Sequence, residues 1–93
     1  MSLPLGDPKQ DTPLTITDVA QVLILPHGII SLEFQNTGSK DCYYGASDVT
    51  SANGGIIYSG GDRKTFENLP SNWKVYLICA AGLSTTLRVI KYV

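Results

Sequence analysis

The stretch "IISLEFQ", Ile29–Gln35, is the clearest structural statement in this chain. Ile30, Leu32 and Phe34 alternate with Ser31, Glu33 and Gln35, so an extended backbone sends three apolar side chains to one side and three polar ones to the other. Period two means a half-buried β-strand. The segments on either side repeat the theme. Before it stand "LTIT" (Leu14–Thr17) and "AQVLIL" (Ala20–Leu25), the latter broken by Pro26, His27 and Gly28. After it, "NTGS" (Asn36–Ser39) supplies turn residues and "DCYYG" (Asp41–Gly45) resumes an extended run, so the two runs read as a β-hairpin.

Further along, Ala46–Gly61 is polar and punctuated by Asn53-Gly54-Gly55 and Ser59-Gly60-Gly61, with "IIY" (Ile56–Tyr58) as a short strand between. "RKTFENL" (Arg63–Leu69) precedes a turn at Pro70-Ser71-Asn72. "WKVYLICA" (Trp73–Ala80) is apolar at both parities, which predicts a strand covered on both faces or lying in a subunit interface. "AGLS" (Ala81–Ser84) is expected to close a second hairpin into "TTLRVIKYV" (Thr85–Val93). No segment carries a helical period of useful length. Seven or eight short strands predict an all-β fold, a small antiparallel β-sandwich or jelly-roll-like barrel over residues 14–93. Residues 1–13 hold Pro4, Pro8 and Pro13 and are read as an extended N-terminal arm, either a disordered tail or an arm lying on a neighbouring subunit.

Length and charge narrow the function. Ninety-three residues suit one domain whose stability as a monomer is modest, so association is a natural remedy. Net charge is −1, from seven basic and eight acidic residues, without a basic stripe; nucleic acid is not an expected partner. No apolar run approaches a membrane span and no signal peptide is visible, so a membrane is not expected either. Cys42 and Cys79 are read as buried thiols of a reducing compartment, with a disulfide as the alternative.

Chemistry is sparse. His27 is the single histidine, in the turn-like "LPHG", and has neither a triad partner nor a ligand cluster beside it in sequence. No spacing of carboxylates resembles a calcium loop, and no Gly-Lys-Ser/Thr follows the glycine pairs. The expectation is a non-enzymatic protein with no catalytic residues, no metal and no cofactor. The aromatic residues Tyr43, Tyr44, Tyr58, Tyr76, Tyr92 and Trp73 fit strand packing, contact with a partner, or a stacking platform for sugar rings. Tyr43 and Tyr44 are adjacent and must face opposite ways in a strand: one core, one exposed or interfacial.

From Ile29 to Val93 the order of signals resembles small structural proteins of tailed bacteriophages and prophages. An apolar strand ends in Asn-x-Gly, here "SLEFQNTGS". Then comes "CYYGASDVTSANGGIIYSGG", with Gly-x-Ser, Val-Thr, and a Gly on each side of an apolar pair. A Trp/Tyr-bearing strand and a final Arg-Val-Ile strand close it, here "WKVYLICAAGLSTTLRVIKYV". Ser59 stands where that pattern often has Pro. The resemblance implies a β-sandwich virion component, such as a decoration, head–tail or fibre-associated protein, assembled in the host bacterial cytoplasm. Such proteins work by self-assembly, as a homo-oligomer (a trimer or a ring), and by docking to other virion proteins.

Two residue sets follow. Tyr76, Ile78 and Tyr92, with Leu3 and Leu5 of the arm, are the expected interface between copies. Ser47, Asp48, Asn53, Tyr58 and Trp73 are the candidate binding loop or platform, and belong to the alternative reading as a small carbohydrate-binding module.

Overall fold

The computed structural model describes residues 8–10, 12–25, 28 and 31–92. They contain nine strands and no helix: β1 (Pro8–Gln10), β2 (Leu14–Ile16), β3 (Gln21–Ile24), β4 (Ser31–Asn36), β5 (Cys42–Gly45), β6 (Gly55–Ile57), β7 (Arg63–Phe66), β8 (Lys74–Ile78) and β9 (Thr85–Tyr92). These form two antiparallel sheets, a β-sandwich as the alternation predicts. In the five-stranded sheet β9 is central, with β1 and β2 in succession along one side and β4, then β7, on the other. The four-stranded sheet runs β3-β8-β5-β6. The additional strand, β1, comes from within the proline-rich arm. Its register against β9 (Gln10 opposite Ile90) differs by one residue from that of β2 (Leu14 opposite Leu87). Pro13 lies in that interruption, where a missing N–H does least damage.

Alternation places the core. Leu32 and Phe34 of β4, Leu87 and Val89 of β9, Val75 and Leu77 of β8, Cys42 of β5 and Ile57 of β6 point between the sheets and are buried. Ile30, expected on the same face of β4, lies outside the described residues, as do Leu3, Leu5 and His27. Phe66 closes the core between β7 and the other sheet. Its ring meets Phe34 (6.1 Å, edge-on), Tyr44 (5.4 Å, edge-on) and Trp73 (5.1 Å, tilted), and the Lys64 ammonium sits 5.6 Å from the Tyr44 ring centre.

Both expected hairpins are corrected. β4 and β5 belong to different sheets, and so do β8 and β9, so Thr37–Asp41 and Cys79–Ser84 cross from one sheet to the other. The cause at the first corner is a buried amide. Asn36 Nδ2 donates to Lys40 O (2.8 Å) and to Ile57 O (3.0 Å) of the opposite sheet, while Oδ1 accepts from Gly38 N (3.1 Å) and from the Thr85 hydroxyl (2.8 Å). At the second, Cys79 N donates to Thr17 O, and Gly82 N to Asp18 Oδ2, tying the turn to the β2–β3 connection. Between β5 and β6 lies a true hairpin, around the long polar loop 46–54.

Candidate interaction surface

The two outer faces of the sandwich differ in chemistry. On the five-stranded sheet, register places Glu33 beside Thr65 and Gln35 between Arg63 and Arg88. These groups bond one another: Arg63 Nη1 to Glu33 Oε1 at 3.8 Å, and Arg88 Nη1 to Gln35 Oε1 at 3.3 Å. Ile90 and Tyr92 share this face beside Glu33 and Ser31, and Ser31 is buried, so the charged groups are confined to one part of it.

The outer face of the four-stranded sheet is more uniformly apolar. Val22 stands across from Tyr76, Ile24 from Lys74, Tyr43 from both Ile78 and Ile56. Since paired residues of an antiparallel ladder share a side, Val22 and Ile24 (β3), Tyr76 and Ile78 (β8), Tyr43 (β5) and Ile56 (β6) form one surface. Lys74, toward one end, is the charge that the strands add to it. Val22 is 45% exposed, Ile24 51% and Ile56 42%, while Tyr43, Tyr76 and Ile78 are half-buried, so this apolar layer is most open to solvent along β3 and β6. Isolated exposed apolar residues need no explanation; three exposed and three half-buried ones in register on one sheet do.

Of the expected interface residues, Tyr76 and Ile78 lie on this surface. Tyr92 does not: it pairs with Ser31 and Pro8 on the outer side of the five-stranded sheet. Sequence reasoning passed over Val22, Ile24 and Ile56, and left open which of Tyr43 and Tyr44 faces outward. The signal for β3 was present in "QVLIL", apolar at both parities as β8 is.

The loop and platform residues are not brought together. Ser47, Asp48 and Asn53 are exposed in loop 46–54, but the loop uses the Asn53 amide itself: Oδ1 accepts from Thr50 N (2.7 Å) and Nδ2 donates to Asp48 O (3.2 Å). Val49 folds under the loop and is buried. Trp73 packs against Phe66 and the core, which leaves Tyr58, 56% exposed, as a free ring. Tyr44 is the core member of the tyrosine pair. Its ring lies over Gly55, where an added Cβ would strike it.

Cys42 and Cys79 are buried free thiols. Burial, and then the neighbouring Cys79 sulfur, push the Cys42 thiol from 9.0 up to about 12; burial also raises Cys79. Neither is a nucleophile near neutrality. Among the described residues no three His, Cys, Asp or Glu side chains gather as a metal site, no pocket opens, and no helix is long and apolar enough to cross a membrane. No protein-family model, curated protein or solved structure matches the chain.

Proposed function

We propose that this chain is a non-enzymatic structural subunit that assembles with copies of itself through the outer face of its four-stranded sheet. The observation that carries the reading is the continuous apolar surface Val22–Ile24–Tyr76–Ile78–Tyr43–Ile56, to which the strands add one charge, Lys74. Burying such a layer gains roughly 25 cal/mol for each Å2 removed from water, and a second copy offers the same layer. The wider role, a component of a tailed-phage or prophage virion docking to other virion proteins, is supported by the resemblance of Ile29–Val93 alone.

Light scattering coupled to size exclusion, at tens of micromolar protein, tests the assembly. A discrete oligomer is expected, and Ile56→Asp, at an already exposed position, should reduce its mass without unfolding the sandwich. Ile78→Asp is the companion variant; because Ile78 is half-buried, its fold must be checked by circular dichroism. A wild-type monomer at that concentration would remove the reading. For the virion role, particles purified from a producing lysate should contain peptides of this chain in stoichiometric amount.

A further inference from the structure

The four-stranded sheet has two edges, β3 and β6, and they are managed differently. β6 is three residues long, and directly after it the chain turns: Tyr58 N is taken by Asp62 Oδ2 and Ser59 N by Asp41 Oδ1. In the other sheet, the β7 edge carries Arg63 and Lys64, and the β1 and β2 edge is short and interrupted at Pro13. Charges, prolines and brevity are the usual means by which an edge is kept from pairing. β3, Gln21-Val22-Leu23-Ile24, has no charge, no proline and no glycine.

Its backbone polarity is set by the ladder. Leu25 N donates to Trp73 O, so Leu25, and by alternation Leu23 and Gln21, turn their peptide groups toward β8. The N–H and C=O of Val22 and Ile24 therefore point out of the sheet edge. We infer that β3 pairs antiparallel with β3 of a second copy, about a two-fold axis through Leu23. In that register Val22 stands opposite Ile24 of the second copy and Ile24 opposite its Val22. Each pair exchanges two N–H···O=C bonds, so all four outward-pointing groups of each β3 are used. The two sheets become one of eight strands.

Area argues for the same occupant. One four-stranded face covers roughly 19 Å by 17 Å, about 300 Å2, from strand spacing and rise. Stable interfaces take about 800 Å2 from each partner. A single face therefore falls well short; edge pairing doubles it to about 600 Å2, nearer that size, and sets Val22 and Ile24 of both copies at its centre. This inference rests on the self-assembly reading and adds to it the order of events: the edge pair forms first, and the doubled face then docks.

Cysteine cross-linking separates the two. Leu23→Cys puts two thiols on the two-fold axis, whereas Ile56→Cys lies three strands away on the outer face; Cys42 and Cys79 are buried in both. Under oxidised glutathione, Leu23→Cys should give a disulfide-linked dimer on a non-reducing gel, with a native circular dichroism spectrum after reduction. Absence of that dimer in folded protein overturns the edge pairing. Cross-linking by Ile56→Cys alone also overturns it while leaving the face-to-face reading in place, and a wild-type monomer overturns both. Val22→Pro is an independent check. It removes an outward N–H and no bond to β8, so it should weaken dimerisation roughly 10- to 100-fold while the monomer stays folded. An unchanged dimer would count against the inference.

Discussion

The Thr85 hydroxyl donates a 2.8 Å hydrogen bond to Asn36 Oδ1 across 49 residues of sequence, and both side chains are buried. With the bonds to Lys40 O, Ile57 O and Gly38 N, all four hydrogen-bonding positions of the Asn36 amide are filled. That amide joins the end of β4, the start of β9 and the end of β6.

Asn36→Ala strands several of these partners without giving them access to water. A loss of about 3 kcal/mol is expected by urea denaturation. Gly38→Ala should act on the same corner, because its Cβ would collide with the Thr85 hydroxyl and the Thr86 backbone. The double variant should then cost less than the sum of the two. Additive losses would show that the corner is not one unit.

Phe66→Ala is expected to cost about 2–3 kcal/mol, as it removes the ring that Phe34, Tyr44 and Trp73 share. Trp73 would gain water on the vacated side, so its emission should shift to the red in the folded variant. An unshifted emission would mean that Trp73 keeps its environment without Phe66.

Alkaline pH should weaken the fold through Cys42. Its folded-state value of about 12 lies above the 9.0 of the exposed thiol, so between those values the unfolded chain ionises and the native one does not. Stability is intact below pH 9 and falls as pH rises toward 12, by about 1.4 kcal/mol per pH unit. Cys42→Ala should start about 1 kcal/mol lower and show a shallower decline, which denaturation at pH 8 and pH 10 would measure. Equal slopes would assign the decline to other groups.

Val49 holds loop 46–54 against the sheet, with Gly45 and Gly54 leaving room for its methyl groups. Val49→Ala should cost about 1 kcal/mol and accelerate amide exchange within the loop more than in β8. Uniform acceleration would argue that the loop opens only with the whole domain.

Strands were legible where one residue class alternates: Leu32 and Phe34 in β4, or Leu87 and Val89 in β9, declare their inner face locally. Sheet membership was not. "NTGS" has the length and the glycine of a hairpin loop, and what makes it a corner is an amide that reaches Ile57, 21 residues away. The same gap divided the interface prediction. Tyr76, Ile78 and Tyr92 look alike along the chain, but β8 and β9 lie in opposite sheets. Ile56 and Val22 join Tyr76 and Ile78 only once the order β3-β8-β5-β6 is known.

The central position of β9 has a bearing on synthesis. β1, β2 and β4 all pair with residues 85–92. A nascent chain that has delivered everything through β8 can zip the four-stranded sheet and pair β4 with β7, but β1 and β2 still lack the strand they pair with. Folding must wait for the late arrival of β9, and its many distant contacts place this domain among slow folders. During that interval the β3 edge is already formed, so two chains growing on neighbouring ribosomes could meet there before either has completed its own sandwich.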